Sequence, residues 1–188
     1  MAQMAARLMT TVEPMQRSAW SVAICSDTRM ALEFPEGSDA LAAGRQAASI
    51  DEVEAALVDA FPASVTRRPL FESWLALREA IRRLVSIDTE WIDGSYVTTK
   101  QDPKDIDVVT HISGPELDAL DAPAQATLSG LVSGPVSRHL HGCDSYICAV
   151  YPPGHPQHAA YEAAKVYWAN WFGHDRAGQP KGYVEIVA

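Results

Sequence analysis

The sequence predicts a single domain of the α/β or α+β class. Its 188 residues and 47% hydrophobic content suit one domain that buries most of its apolar surface. Segments with helical periodicity alternate along the chain with short segments rich in β-branched residues, which are typical of strands. Glycine and proline separate these segments, and the chain has no internal repeat. This alternation favours helices packed against a sheet.

The composition is that of an acidic globular protein, with 24 acidic and 15 basic side chains and a formal charge of −9. A general binder of duplex DNA needs a basic face that displaces counterions from phosphate, so this class of protein is excluded. The charge does not exclude a small substrate with phosphate groups, because a metal ion can bridge phosphate and carboxylate.

Cysteine spacing and hydropathy indicate the compartment. Cys25, Cys143 and Cys148 have neither zinc-finger nor disulfide-framework spacing, which indicates reduced thiols. No apolar stretch approaches the roughly 18 residues that a transmembrane helix needs. Charged residues also interrupt every candidate signal-peptide core near the N-terminus. We therefore expect a cytoplasmic protein without a membrane partner.

We expect residues 1–43 to form an N-terminal extension and residues 44–188 to form the folded domain. All five methionines lie within the first 30 residues. Two explanations remain open: translation of the native protein starts at Met30, or the methionines cluster by chance and the extension is genuine. The apolar run at residues 20–25 can add an edge strand to the sheet if it is ordered.

Two helices are predicted in the first half of the domain. Ser49 and Glu52 have the spacing of a capping box, and the helix that they begin should end before Pro62. Pro69 suits the first position of a second helix. Apolar residues follow it at alternating spacings of four and three, namely Leu70, Trp74, Leu77, Ile81 and Leu84. Three arginines of this helix are expected to form a solvated face, namely Arg78, Arg82 and Arg83.

The second half of the domain is predicted to contain strands and shorter helices in alternation. Strands are expected at residues 89–93, 106–112, 146–151 and 183–187, where β-branched and aromatic residues concentrate. Short helices are expected at residues 115–120 and 123–131. A longer helix should begin at Pro156 and end at Gly173.

A pair of carboxylates begins the strand predicted at residues 106–112. Asp105 and Asp107 alternate around Ile106, so both carboxylates should lie on the same face of the strand. Two like charges side by side are costly to bury unless a cation neutralises them. Hard oxygen ligands at this spacing suit Mg²⁺ or Mn²⁺ better than zinc.

A glycine-serine pair follows the preceding strand. Gly94 and Ser95 lead into a turn or short helix, where backbone N–H groups and a hydroxyl can hold a phosphate. Glycine lets the ligand approach the backbone closely. Three lysines can add phosphate contacts or be ordinary solvated loop lysines, and both readings stay open: Lys100, Lys104 and Lys181.

These residues carry a resemblance to a known superfamily. Gly94 and Ser95, followed after nine residues by Asp105-Ile106-Asp107, resemble the Gly-Ser…Asp-x-Asp signature of the DNA polymerase beta-like nucleotidyltransferases. Within that superfamily, the chain is similar to a bacterial family of nucleotidyltransferase-like proteins over about residues 44–188. The similarity includes a Phe-Gly-x-Asp-Arg…Pro-Lys-Gly ending, here Phe172-Gly173-His174-Asp175-Arg176 followed by Pro180-Lys181-Gly182.

The resemblance implies a nucleotidyltransferase fold, with a short mixed sheet flanked by helices and an N-terminal helical pair. It also implies a third acidic residue on a later strand. Asp144 fits best by order and position, whereas Asp118 and Asp121 fall in predicted helix or loop. By this resemblance, Asp105, Asp107 and Asp144 would bind Mg²⁺ or Mn²⁺, with Asp144 also acting as base.

The function implied is transfer of a nucleoside monophosphate from an NTP to a hydroxyl acceptor. Gly94 and Ser95 would then hold the β- and γ-phosphates. The acceptor would be a tRNA end, a protein or a small molecule, and analogy suggests a toxin–antitoxin or defence system with a protein partner encoded nearby. Many active members carry a further glycine or arginine between the Gly-Ser pair and the aspartates, which this chain lacks. The alternative is a non-catalytic module of the same fold that binds a nucleotide or a protein.

Overall fold

The computed structural model describes residues 32–187 of the chain. Five strands form one sheet: β1 Gly44–Ala48, β2 Ile87–Asp93, β3 Ile106–Ser113, β4 Cys143–Val150 and β5 Gly182–Ile186. Six α-helices accompany them: α1 Ile50–Glu54, α2 Arg67–Arg82, α3 Gly114–Ala119, α4 Ala122–Leu131, α5 Pro135–His141 and α6 His158–Phe172. The edge strand expected at residues 20–25 and the choice of start at Met30 lie outside the described residues.

The sheet is mixed, with strand order β1-β5-β2-β3-β4. The pairs β1–β5 and β3–β4 are parallel, whereas β2 runs antiparallel to both β5 and β3. Helices cover the sheet, so the predicted single domain of mixed α+β class with a short mixed sheet is confirmed. None of the helices within residues 32–187 has the length and apolarity needed to cross a bilayer.

The two faces of the sheet bury different clusters. The larger cluster packs α1 and α2 against one face, with Trp74, Ile92 and Val108 almost completely buried. The smaller cluster packs α6 against the other face and is aromatic, built from Trp91, Val109, Cys148, Phe172 and Tyr183. Because side chains alternate along a strand, β2, β3, β4 and β5 each contribute to both clusters.

The local signals predicted the first two helices well. Ser49 Oγ accepts a hydrogen bond from the Glu52 N–H, and Glu52 Oε2 accepts one from the Ser49 N–H, which confirms the capping box. α1 continues into a single π-helical turn, Ala55–Asp59, which the sequence pattern did not indicate. α2 begins at Arg67, two residues before Pro69, and buries Leu70, Trp74, Leu77 and Ile81 of the predicted stripe, whereas Leu84 lies beyond its end and is half-buried.

The prediction of a solvated arginine face on α2 was wrong for Arg78. Its guanidinium forms an ion pair with Glu90 of β2, which is only 1% exposed. Burial raises the pKa of Glu90, and the positive charge of Arg78 opposes this rise. The helix periodicity places Arg78 at the border of the apolar stripe. Whether an arginine there is solvated or forms a buried ion pair depends on the residue that the neighbouring strand presents, here Glu90.

Two elements were not predicted, β1 and α5. β1 has the sequence Gly-Arg-Gln-Ala-Ala, without a β-branched residue, and forms because it pairs with β5 along its whole length. α5 has only seven residues and lies between Gly134 and Gly142, which has left-handed φ. β1 therefore depends on tertiary pairing more than on local propensity.

The segment before β1 packs onto the domain. Leu32 and Leu41 are buried in the larger cluster. Ala40 pairs with Thr98 in a single antiparallel bridge, and the Thr99 N–H donates to the Asp39 carbonyl at 2.8 Å. The described fold therefore begins before residue 44, the domain start expected from sequence, and this segment supports the loop that follows β2.

Candidate functional site

Three carboxylates form a row across adjacent strands. Asp107 on β3 is the register partner of Asp93 on β2 and of Asp144 on β4. Residues that oppose one another on neighbouring strands point to the same face of a sheet. Asp105 lies two residues before Asp107 and adds a fourth carboxylate. The structure thus brings together Asp105, Asp107 and Asp144, the three carboxylates predicted from the sequence, and adds Asp93.

The row lies at the sheet edge where β2 ends and β3 and β4 begin. The carboxylates of this row interact electrostatically, and the pKa of the partly buried Asp107 shows the effect. Burial and, after it, the negative charges of Asp105, Asp93 and Asp144 together raise the pKa of Asp107 to about 6. This clustering of negative charge is unfavourable unless cations compensate it.

One compensating cation is Lys181, which immediately precedes β5. Its ammonium group forms an ion pair with Asp93, and both side chains are largely buried. Burial raises the pKa of Asp93 to about 6, and Lys181 opposes the rise. Sequence reasoning did not single out Asp93, although its position at a strand end directly before Gly94 was a usable signal. Lys181 lies at the site, while its contact with phosphate stays a prediction.

The second compensating cation is Arg138 on α5. Its Nη1 lies 3.3 Å from Asp105 Oδ2 and 3.6 Å from Asp144 Oδ2, so the guanidinium bridges the two carboxylates. Asp144 is 9% exposed, and its other oxygen, Oδ1, is buried without a hydrogen-bond partner. Sequence reasoning missed Arg138 because α5 itself was not predicted.

Gly94 joins the glycine-serine pair to the carboxylate row. Its φ is +82°, a left-handed conformation that favours glycine, and it begins a 3₁₀ turn, Gly94–Val97. A Cβ at this position would collide with Asp107 Oδ2. Ser95 follows half-buried, and its carbonyl accepts a hydrogen bond from Thr98 Oγ1 at 2.8 Å. The two parts of the predicted motif are therefore in direct contact.

A buried arginine shapes the loop after the 3₁₀ turn. Arg67 is 0% exposed and stacks on Phe61, with its guanidinium carbon 3.7 Å from the ring centre. It donates hydrogen bonds of 2.6–2.8 Å to four backbone carbonyls, those of Leu57, Tyr96, Thr98 and Lys100. Desolvation by this burial lowers the pKa of Arg67. We regard Arg67 as the residue that holds the loop, a role that no sequence motif indicated.

The remaining residues expected at the site lie farther out. Lys100 and Lys104 are exposed on the loop before β3, and within residues 32–187 neither side chain forms an ion pair. The alternative third acids have other partners: Asp121 caps α4 by accepting the Ala124 N–H, and Asp118 accepts the Tyr151 hydroxyl. Because Asp118 and Asp121 have these other roles and Asp144 is the register partner of Asp107, Asp144 is favoured as the third carboxylate of the cluster.

Comparison with known proteins gives one match. A family model covers residues 32–187, which are also the residues that the structure describes. The chain belongs to this family, DUF6932, a family of unknown function. No curated protein and no solved structure matches the chain.

The carboxylates are not already arranged as a metal centre. In the part of the chain that the structure describes, no three His, Cys, Asp or Glu side chains form a group ready to hold a metal ion. Lys181 and Arg138 lie against the outer members of the cluster instead. The donors nevertheless fit a hard divalent ion, since all are carboxylate oxygens and Asp144 Oδ1 is buried without a partner.

Aromatic side chains of α6 border the cluster. The ring of Trp168 lies 5.0 Å from that of Tyr146, which follows Asp144 two residues later on β4. Burial raises the pKa of Tyr146, and a side-chain hydrogen bond to Asp144 and the negative charge of that carboxylate also raise it, so the phenol lies close to the carboxylate. At the end of α6, the Gly173 carbonyl accepts a hydrogen bond of 2.9 Å from the Lys181 N–H. The last turns of α6 therefore lie beside the carboxylate cluster.

Proposed function

We propose that this protein is a metal-dependent nucleotidyltransferase that moves a nucleoside monophosphate from an NTP to a hydroxyl acceptor. The observation that carries the proposal is the contact between Gly94 and Asp107. It joins a turn suited to phosphate to a row of carboxylates suited to a divalent ion. A reaction on a nucleotide phosphate needs both features side by side.

The carboxylates would have two roles, metal binding and proton transfer. Asp105, Asp107 and Asp144 would hold the metal, with Mg²⁺ or Mn²⁺ as the expected cofactor. When bound, such ions stabilise the negative charge that develops on the attacking and leaving oxygens. Asp144 would also act as the base that accepts the proton of the acceptor hydroxyl. The acceptor oxygen bonds to the α-phosphorus while the bond to the bridging oxygen breaks, and pyrophosphate leaves with that electron pair.

Residues around the carboxylates would bind the triphosphate. The backbone N–H groups at Gly94 and Ser95 begin the 3₁₀ turn and would hold the β- and γ-phosphates. Lys181 lies at the same edge of the sheet, and the exposed Lys100 and Lys104 lie on the adjoining loop. Arg67 fixes the backbone of that loop before the substrate arrives, which reduces the ordering cost of binding.

The acceptor is a tRNA end, a protein or a small molecule. The net charge of −9 disfavours a broad nucleic-acid footprint, so an RNA acceptor would make contact only near the site. A toxin–antitoxin or defence system in the cytoplasm, with a protein partner encoded nearby, is the context that we propose by analogy.

Labelling with α-labelled NTPs, Mg²⁺ and cell extract tests the proposal. Wild type should transfer label, and Asp107→Asn should lose at least about 100-fold in rate. The matched control is Asp88→Asn, which changes an exposed carboxylate at the opposite end of β2 and should keep full transfer. Equal labelling by Asp107→Asn and wild type, or no labelling by wild type with any of the four nucleotides, would contradict the proposal.

A second candidate is a non-catalytic module that binds a nucleotide or a protein. The ion pairs of Arg138 and Lys181 favour it, because they neutralise the cluster without a metal. In its nucleotide-binding form, this module predicts that NTP raises the melting temperature without Mg²⁺, whereas the enzyme requires both together.

A further inference from the structure

The Arg138 guanidinium lies between two of the three carboxylates that the proposed function assigns to the metal. One nitrogen, Nη1, makes both contacts, at 3.3 Å to Asp105 and 3.6 Å to Asp144. Both distances exceed the roughly 2.7–2.9 Å of strong charge-assisted hydrogen bonds, and the guanidinium does not form a two-nitrogen fork with either carboxylate. The arginine neutralises the pair without binding it tightly.

The backbone that carries Arg138 is anchored to the strand that carries Asp144. The Gly134 N–H donates to the Ser145 carbonyl at 3.0 Å, and the Ser145 N–H donates to Ser137 Oγ at 3.2 Å. Ser137 is 0% exposed and directly precedes Arg138. The Cα of Arg138 is therefore held at a constant position beside Asp144.

The side chain of Arg138 is freer than those of its partners. It is 47% exposed, whereas the side chains of Asp105 and Asp144 are 22% and 12% exposed. A long side chain on a fixed backbone can turn its charged end outward through its own rotamers, while the buried carboxylates stay in place. Arg138 can therefore leave the carboxylates without any change in the fold.

The contact also leaves Asp144 incompletely satisfied. Its Oδ1 is buried without a partner while Oδ2 faces Arg138. A buried carboxylate oxygen without a hydrogen bond or a cation is costly. A cation that reaches deeper between Asp105 and Asp144 than the guanidinium does would remove this cost.

We propose that Arg138 neutralises Asp105 and Asp144 in the free protein and moves to a phosphate of the nucleotide when a divalent ion takes its place. This inference rests on the proposed function and adds a nucleotide-binding residue to it. Arginine suits the contact with the nucleotide phosphate because its planar guanidinium matches the geometry of phosphate oxygens. Arg138 thereby opposes binding of the metal alone and favours binding of the metal together with the nucleotide.

Manganese titration, followed by the electron paramagnetic resonance of free Mn²⁺, tests whether Arg138 competes with the metal ion. Arg138→Gln should bind Mn²⁺ alone at least about 5-fold more tightly than wild type, since a competing charge is removed. Arg138→Lys keeps the charge and should stay near wild type. The matched control is Arg176→Gln, an exposed arginine of the loop between α6 and β5 that should leave Mn²⁺ affinity unchanged.

Binding of the α,β-methylene analogue of each NTP in the presence of Mn²⁺ tests whether Arg138 contacts a phosphate of the nucleotide. Arg138→Gln should bind the preferred analogue at least about 5-fold more weakly than wild type, because the phosphate contact is lost. Circular dichroism melts confirm that each variant folds.

The outcomes separate the two proposals. If Asp107→Asn abolishes Mn²⁺ binding while Arg138→Gln binds Mn²⁺ no more tightly than wild type, the metal site stands and the role of Arg138 is overturned. Unchanged analogue affinity in Arg138→Gln overturns the transfer to phosphate. If neither wild type nor Arg138→Gln binds Mn²⁺ or any analogue, both the proposed function and this inference fail.

Discussion

Gly94 and Asp107 approach so closely that no side chain fits between them. The carboxylate of Asp107 covers the Cα of Gly94, where a Cβ would overlap with Oδ2, and Gly94 has a left-handed φ of +82°. The contact positions the 3₁₀ turn after β2 against the first residues of β3. It fixes the distance between this turn and the carboxylates, on which the proposed chemistry depends.

Gly94→Ala should therefore destabilise the protein by about 3 kcal/mol, which lowers the melting temperature of a chain of this size by about 8 °C. The matched control is Gly178→Ala. Gly178 has a similar φ of +77° but open space around it, so its variant should lose only about 1 kcal/mol from backbone strain. Thermal melts of both variants check the difference. Equal losses would mean that the contact with Asp107 has no energetic weight.

Asp107→Asn should stabilise the metal-free protein at about pH 7.5, by about 1–2 kcal/mol. The pKa of Asp107 is raised from 3.8 to about 6, first by burial and then by the neighbouring carboxylates. Between the ordinary pKa of 3.8 and about 6, the folded state retains a proton that the unfolded state has released, and above this range the folded state must carry the unfavourable charge. Stability is greatest below the ordinary pKa and falls as pH rises through 6. Because asparagine does not ionise, Asp107→Asn removes this loss of stability.

Urea unfolding at about pH 5 and about pH 7.5 measures the effect. The gain from Asp107→Asn should be larger at the higher pH, and the exposed control Asp88→Asn should show no gain at either. A less stable Asp107→Asn at neutral pH would show that the ionised carboxylate supports the fold.

Stabilisation by Mn²⁺ should grow with pH. Metal ligands must be deprotonated, and a proton competes for Asp107 below its pKa of about 6. The rise in melting temperature caused by Mn²⁺ should therefore be small at about pH 5 and near its maximum at about pH 7.5. Thermal melts across this range check the trend. A metal effect independent of pH would place the ion away from Asp107.

Arg67→Met should destabilise the protein by about 3–4 kcal/mol, because it leaves four backbone carbonyls without their donor. Arg67→Lys should recover only part of this loss, since one ammonium group cannot reach all four carbonyls. Arg82→Met is the control on the exposed side of the same helix and should change stability by less than about 0.5 kcal/mol. Chemical denaturation measures all three variants. A loss at Arg67 no larger than the loss at Arg82 would remove its role in holding the loop.

Much of the fold follows from short-range patterns. The capping box at Ser49 and Glu52, the apolar stripe of α2 and the β-branched run of β3 each depend on residues a few positions apart. The pattern failed where pairing over a long distance decides the structure. β1 has little strand propensity and exists because β5 is beside it, and Arg78 is buried because Glu90 faces it.

The sequence by itself determined the local parts of the candidate site. Asp105 and Asp107 share a face because of the strand period, and Gly94 with Ser95 ends a strand because of the turn chemistry of glycine. Only the tertiary structure decided which other charges join them. Asp93 and Asp144 reach Asp107 through the register of β2 and β4, and Arg138 arrives on a helix of seven residues. Register and helix placement depend on the packing of the whole domain, so local sequence cannot specify them.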